Sequence, residues 1–316
     1  MKFERKIAAL DIGSNSVMLL LISYDRNMQI KILDEFGAIT KLENDLDQSK
    51  IITANVMDKT LNLCKEITEI AYDEGAETII VTVSCNIQHV LNKTEFLVAC
   101  HSHFNIFPQL LTGNEKASCI FNGALHDFNH LDGDILILDV GGNSLNISFG
   151  SKNIMVGHFS FNLASIPLLD QFKIKASSTG KSKRQLKKYI KTISTDAIME
   201  ILTWLDGRTP TVICCGGTTT TMASILSKQN YYDRHLINKA IITTKEADTL
   251  AGKLVKMSLK NRRNLLGLEH DRAEYLHIGI YTICYILKHL EINEFNVTTS
   301  GLRTGILKSY IDKNFG

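Results

Sequence analysis

Ala8 to Tyr24 reads AALDIGSNSVMLLLISY, and Leu136 to Gly150 reads LILDVGGNSLNISFG. Laid over one another, the two stretches place Asp11 on Asp139, Gly13 on Gly141, Asn15 on Asn143 and Ser16 on Ser144, at an offset of about 128 residues. Each is an apolar run, an acidic residue, a glycine-bearing turn and a second alternating run, which is the pattern of a β-hairpin. Two similar halves are implied, and a ligand gripped by both hairpins would lie in a cleft between them.

Outward from these hairpins, the β-rich runs Ile79 to Val83 and Val212 to Cys214 alternate with helical patterns such as Ala54 to Tyr72 and Lys245 to Lys260. That alternation predicts α/β domains with helices packed on mixed sheets. The 316 residues suit two domains, and with three prolines and no low-complexity linker the domains should join through packed structure. A net charge of +2 gives no ground for bulk attraction to nucleic acid or membrane, so any anion site must be local. The seven cysteines include no C-x-x-C pair and read as reduced core residues. No secretory signal and no run of eighteen apolar residues occurs, so a cytoplasmic protein is expected. A homodimer is the default expectation for its assembly.

Glycine lets a backbone approach a ligand without a Cβ in the way, so successive amides can converge on phosphate oxygens. Gly13, Ser14, Asn15 and Ser16 form one such cradle, and Gly141, Gly142, Asn143 and Ser144 the other. Asp11 and Asp139 at the strand ends are candidate Mg²⁺ ligands, directly or through water. In an ordinary hairpin the same aspartate merely caps the turn; the repetition is what favours a ligand site. A third cluster, CCGGTTTTMASI, follows the run Val212 to Cys214. Gly216, Gly217 and Thr218 there open either an anion-binding helix N-terminus or a plain strand-to-helix turn capped by threonine.

The order DIGSNSV, LLTGNEKASCIFNGAL, LDVGGNSL, CCGGTTTTMA, TSGLRTGIL resembles the exopolyphosphatase/guanosine pentaphosphate phosphohydrolase family over nearly the whole chain. Leu42 and Leu46 also match that family's segment after the first hairpin. The resemblance implies an actin-like ATPase fold of two ribonuclease-H-like domains with Mg²⁺ and a phosphoanhydride chain in the interdomain cleft. It places the domains at 1–122 and 123–302, with helix 303–316 completing the first. The reaction implied is hydrolytic removal of a terminal phosphate from polyphosphate or a guanosine phosphate. Family members that process long polyphosphate often carry further C-terminal helical domains, so short chains or nucleotides are the expected substrates here.

The family's proposed base maps onto Glu115 in T-G-N-E-K-A, and Arg303 survives in G-L-R-x-G as a phosphate ligand. Thr112 three residues before Glu115 also fits a helix capping box, so both roles stand open for that carboxylate. Elsewhere the family pattern is broken. Asn143, Leu145 and Asn146 replace a glycine, a threonine and a glutamate; Met18 and Gln88 stand where arginines are usual; Leu163 and Ile166 replace glycine and arginine; Thr304 replaces a glutamate. Neither methionine, glutamine nor isoleucine can supply arginine's planar fork. Weaker polyanion affinity follows, and with it a second function class: a catalytically impaired polyphosphate- or nucleotide-binding regulatory protein.

The basic run Lys173 to Lys191 contains Arg184, Lys187, Lys188 and Lys191 on one helical face, with Leu186 and Ile190 inward. It is either a steering face for anions or the solvated side of an amphipathic helix. His101 and His103 alternate as strand ligands do, without an acidic partner near, and Cys214 and Cys215 read as packing residues.

Overall fold

The computed structural model describes residues 4–42, 50–85, 87, 90–151, 154–174, 180–230 and 232–315. Leu46, Gln88 and residues 175–179 of the basic run lie outside them. The chain divides into two compact units, Met1–Gly123 with Leu302–Gly316, and Ala124–Gly301.

In the first unit β1 (Arg5–Ile12), β2 (Ser16–Tyr24) and β3 (Ile30–Ile39) form an antiparallel meander. Helix α1 (Ala54–Asp73) crosses over to β4 (Thr78–Val83), which runs parallel to β1; α2 (Lys93–Phe104), β5 (Gln109–Leu110) and α3 (Gly113–Ala124) follow. The sheet order is β3-β2-β1-β4-β5. Period-two alternation explains how β1 is apolar along its length, because both of its faces are covered. Ala8, Leu10 and Ile12 join Val56, Leu61 and Cys64 of α1, while Ile7 and Ala9 join Ile306, Leu307 and Ile311 of the C-terminal helix. Each such buried aliphatic side chain stabilises the unit by roughly 1.5–3 kcal/mol.

The second unit repeats the arrangement. A meander of β6 (Asp134–Val140), β7 (Leu145–Ser151) and β8 (Ile154–Phe161) leads into α4 (Ser165–Phe172) and α5 (Gly180–Leu205), and β9 (Thr211–Cys215) returns parallel to β6. After α6 (Gly217–Leu226), α7 (Arg234–Ile237), β10 (Ile241–Thr243), α8 (Thr244–Lys256), α9 (Leu259–Arg263) and α10 (Leu276–His289), strand β11 (Glu294–Val297) pairs parallel with β9; α11 (Leu302–Phe315) ends the chain. The order β8-β7-β6-β9-β11 therefore matches β3-β2-β1-β4-β5 strand for strand and in every direction, with β10 added at one edge.

The histidine pair is placed, and one local expectation is corrected. His101 and His103 lie on α2, where residues two apart point in different directions; His101 stacks on Phe107 at 4.0 Å and His103 Nδ1 meets the Ala99 carbonyl at 3.0 Å. The helix expected over Lys245 to Lys260 breaks after Lys256, because the Ser258 hydroxyl accepts from Asn261 N and starts α9. No helix among the described residues is long and apolar enough to cross a membrane.

Candidate active site

Both repeated stretches fold as hairpins that close in the same way. Gly13 N donates to Ser16 O, and Gly141 N donates to Ser144 O, each at 3.0 Å. The two glycine amides are therefore used by the turns themselves. The Asn15 carbonyl also accepts from Thr40 N and Lys41 N, which ties the first tip to the end of β3.

Asp11 stands half-buried at the end of β1, opposite Thr82 of the parallel β4. Its carboxylate accepts from Ser84 Oγ at 2.8 Å and Thr82 Oγ1 at 3.1 Å. Desolvation nevertheless pushes its pKa above the ordinary carboxylate value, against Ser84, Lys116, Thr82 and Arg303. The ionised form is short of compensating positive charge. Asp139 holds the equivalent place on β6, opposite Cys215, and its Oδ2 accepts from Asn146 Nδ2 at 3.1 Å. Asn146 is fixed in turn by Ser160 Oγ, which donates to its Oδ1 at 2.8 Å. Cys214 and Cys215 are buried, and desolvation raises both thiols, so they behave as packing residues.

Among the described residues no three His, Cys, Asp or Glu side chains stand together as a preformed metal cluster. Mg²⁺ does not require one, since it keeps several waters and takes one or two carboxylates together with phosphate oxygens. Asp11 and Asp139 are hard oxygen donors of that kind, and the undercompensated charge of Asp11 suits a cation.

The third glycine cluster is built as an open helix start. Gly216 has φ +83°, and a Cβ there would lie 2.5 Å from Asp139 Oδ1 and 2.9 Å from the Val140 carbonyl oxygen, so only glycine fits. Helix α6 begins at Gly217 without a side-chain cap, and Thr218 is buried with its hydroxyl unpartnered. Threonine capping is thereby ruled out as the explanation of this turn. Ser165, at the start of α4, is also buried with an unpartnered hydroxyl, and Ile166 N donates to the Gly142 carbonyl at 2.9 Å, fastening α4 to the second turn.

Arg272 completes this corner, and sequence reasoning missed it. A Cβ on Gly217 would fall 2.6 Å from Arg272 Cζ and Nη2, so the guanidinium lies directly over the glycine at the head of α6. Its Nε donates to Glu269 Oε2 at 2.8 Å, and its side chain is 17% exposed. An arginine beside uncapped helix amides forms an anion site on general grounds. Its only sequence signal was an isolated D-R-A before an apolar helix.

Glu115 is exposed at the start of α3 and forms a complete capping box: its Oε2 accepts from Thr112 N at 2.9 Å and Thr112 Oγ1 at 2.8 Å, and its amide donates to Thr112 Oγ1 at 3.2 Å. These donors hold its carboxyl below the ordinary value. Arg303 is engaged as well, pairing with Glu35 Oε1 at 3.0 Å and donating to the Leu19 carbonyl at 3.3 Å. It fastens α11 to β2 and β3.

A profile of the Ppx/GppA phosphatase family matches residues 21–314. The chain belongs to the Ppx/GppA phosphatase family. It is 21% identical to a putative exopolyphosphatase of Haemophilus influenzae over 98% of this chain and 93% of that protein. It is 24% identical to a bifunctional 3-dehydroquinate synthase/phosphatase of Fusobacterium nucleatum over 89% of this chain, which spans 43% of that relative's length. Among solved structures, an exopolyphosphatase from Cytophaga hutchinsonii superposes with a TM-score of 0.87 at 22% identity, covering 99% of this chain and 100% of that one. The Ppx/GppA member from Aquifex aeolicus gives 0.84 at 20%, covering 98% and 99%. The fold is thus the two-domain actin-like ATPase fold of Ppx/GppA proteins.

The positions that depart from the Ppx/GppA pattern have structural uses here. Met18 lies over Gly37, where any side chain would strike its sulfur and the Val17 carbonyl. Leu163, Ile166 and Thr304 are buried in packing, with Leu163 in the main core of the second unit. Asn146 gives Asp139 a neutral amide donor where the family has a second carboxylate.

Proposed function

We propose that this protein hydrolyses terminal phosphoanhydride bonds of inorganic polyphosphate or of guanosine pentaphosphate. The observation that carries the proposal is the head of α6, where uncapped amides, the Thr218 hydroxyl and the Arg272 guanidinium surround a turn that only glycine can make. That corner suits phosphoryl oxygens, and it adjoins Asp139 through Gly216.

In this reading the amides of the turn tips and of α6 bind and orient the phosphates, and Arg272 pairs with phosphoryl oxygens. Asp11 of the first unit and Asp139 of the second are the carboxylates that would hold Mg²⁺, and the ion would supply charge neutralisation of the phosphate chain. Glu115 accepts the proton of the attacking water once its carboxylate exchanges a Thr112 donor for that water. Its depressed pKa makes it a weak base, and Asn146 leaves Asp139 without a carboxylate neighbour. Turnover slower than the family norm follows. Both features also favour the alternative, a binding-only regulator.

A phosphate-release panel over polyphosphate lengths, guanosine pentaphosphate and ATP, with and without Mg²⁺, separates the two. Release that requires Mg²⁺ and is lost in Glu115→Gln is the expected result. Tight binding with no turnover above that of Glu115→Gln would make the protein a regulator.

A further inference from the structure

The second unit contains a cavity of about 500 Å³ walled by α5, α8 and α10. This is within the range of drug-sized ligand sites. Leu186, Ala251, Val255, Ile278 and Tyr281 give it mainly apolar walls. Lys183, Arg184 and Lys187 line it from α5 and are exposed, so their charges stand at its rim. Their spacing puts all three on one helical face. The one acidic side chain among the lining residues, Asp248, is paired with Lys288 at 2.8 Å, so the cation excess remains.

His277 lines the same cavity and is 3% exposed. Arg262 Nη1 lies 2.8 Å from its Nδ1. Because arginine can only donate, Nδ1 is the acceptor and the ring proton sits on Nε2. Its Nε2 is buried, and the Ile174 backbone carbonyl acts on the ring as a hydrogen-bond acceptor.

We propose that this cavity is a binding site for an amphiphilic organic anion, one with a compact apolar body and a carboxylate or phosphate head. The walls take the body. The head is recognised by Lys183, Arg184 and Lys187 at the rim. The site shares no residue with the glycine turns, so it stands whether or not the protein hydrolyses phosphoanhydrides.

Gly252 of α8 gives a clean test, because it lines the cavity and a Cβ added there meets nothing within 4 Å. Gly252→Leu fills the space while favouring the helix, so the protein should fold. The full chain is titrated calorimetrically with decanoate, decyl phosphate and decanol below their aggregation limits. The two anions should bind one per chain, at least tenfold tighter than decanol, and Gly252→Leu should weaken them at least tenfold. Lys183→Glu with Lys187→Glu should weaken the anions at least tenfold and leave decanol unchanged. A preference for decyl phosphate over decanoate, or the reverse, identifies the natural head group. Equal binding of anions and alcohol, undiminished binding in Gly252→Leu, or no binding by any probe would overturn the proposal.

Discussion

Gly217→Ala tests the proposed site through a single methyl group. The added carbon would sit 2.6 Å from Arg272 Cζ and Nη2, inside any tolerated contact, and the atoms it strikes are the far end of a flexible side chain. The guanidinium must swing away, whereas the backbone need not. Alanine in the first turn of α6 is worth up to about 1 kcal/mol over glycine, which offsets lost Arg272 packing and keeps the stability change within about 1 kcal/mol. Loss of a charge-assisted contact to phosphate removes roughly 1.5–3 kcal/mol of transition-state binding. In kcat/KM that is about 10- to 150-fold. Phosphate release from short polyphosphate, measured beside calorimetric melting, reads both quantities, and Arg272→Lys, which keeps the charge but not the fork, should fall similarly. Gly216→Ala is the contrast: at φ +83°, with Asp139 Oδ1 at 2.5 Å and a carbonyl oxygen at 2.9 Å, it should cost stability by about 2 kcal/mol or more, as well as activity. Wild-type kcat/KM in a folded Gly217→Ala protein would refute the assignment of Arg272 to the site.

Glu246 forms the same capping box with Thr243 as Glu115 does with Thr112, at 2.9, 2.7 and 3.1 Å. Glu115→Gln and Glu246→Gln should therefore lose similarly small stability, since glutamine also closes the box, while only Glu115→Gln loses phosphate release, by about 100-fold or more; equal activities would leave Glu115 a cap alone. Asn146→Glu sets a second carboxylate against Asp139 in place of the 3.1 Å amide contact, so unfolding without Mg²⁺ should become easier by about 2 kcal/mol, and Mg²⁺ should restore it. No Mg²⁺-dependent recovery would count against Asp139 as a metal ligand. Burial and Arg262 push His277 down to about 4 from its ordinary 6.5. The unfolded chain binds the extra proton between these values, so this contribution is complete above pH 6.5 and falls away towards pH 4, by about 2 kcal/mol at pH 5. Urea unfolding of His277→Gln should show a correspondingly flatter slope between pH 7 and 5, and identical slopes would show that His277 is not buried neutral.

The hairpins were legible because their signals are local. An alternating apolar run specifies which face is buried, and Asp-x-Gly followed by small polar residues specifies the turn, so Asp11 and Asp139 could be placed at strand ends from sequence alone. The Thr112–Glu115 capping box was equally visible, being four residues long. Arg303 was legible as a surviving family residue, but its pairing with Glu35 was not, because β3 and α11 are distant in sequence. The alternation of His101 and His103 carried little weight in the sequence, and on α2, where only Phe96 and Cys100 are buried, the two side chains point in different directions.

What the sequence by itself determined is a duplicated strand–turn–strand plan, an α/β class and a set of glycines meant for close approach, since each depends on a few consecutive residues. Tertiary structure alone decided that Arg272 covers Gly217, that Arg303 pairs with Glu35, and that part of the basic face of α5 borders a cavity. These depend on the rotation and depth at which whole helices and strands pack. Packing fixes those quantities by shape complementarity among residues far apart in the chain, where no local pattern records them.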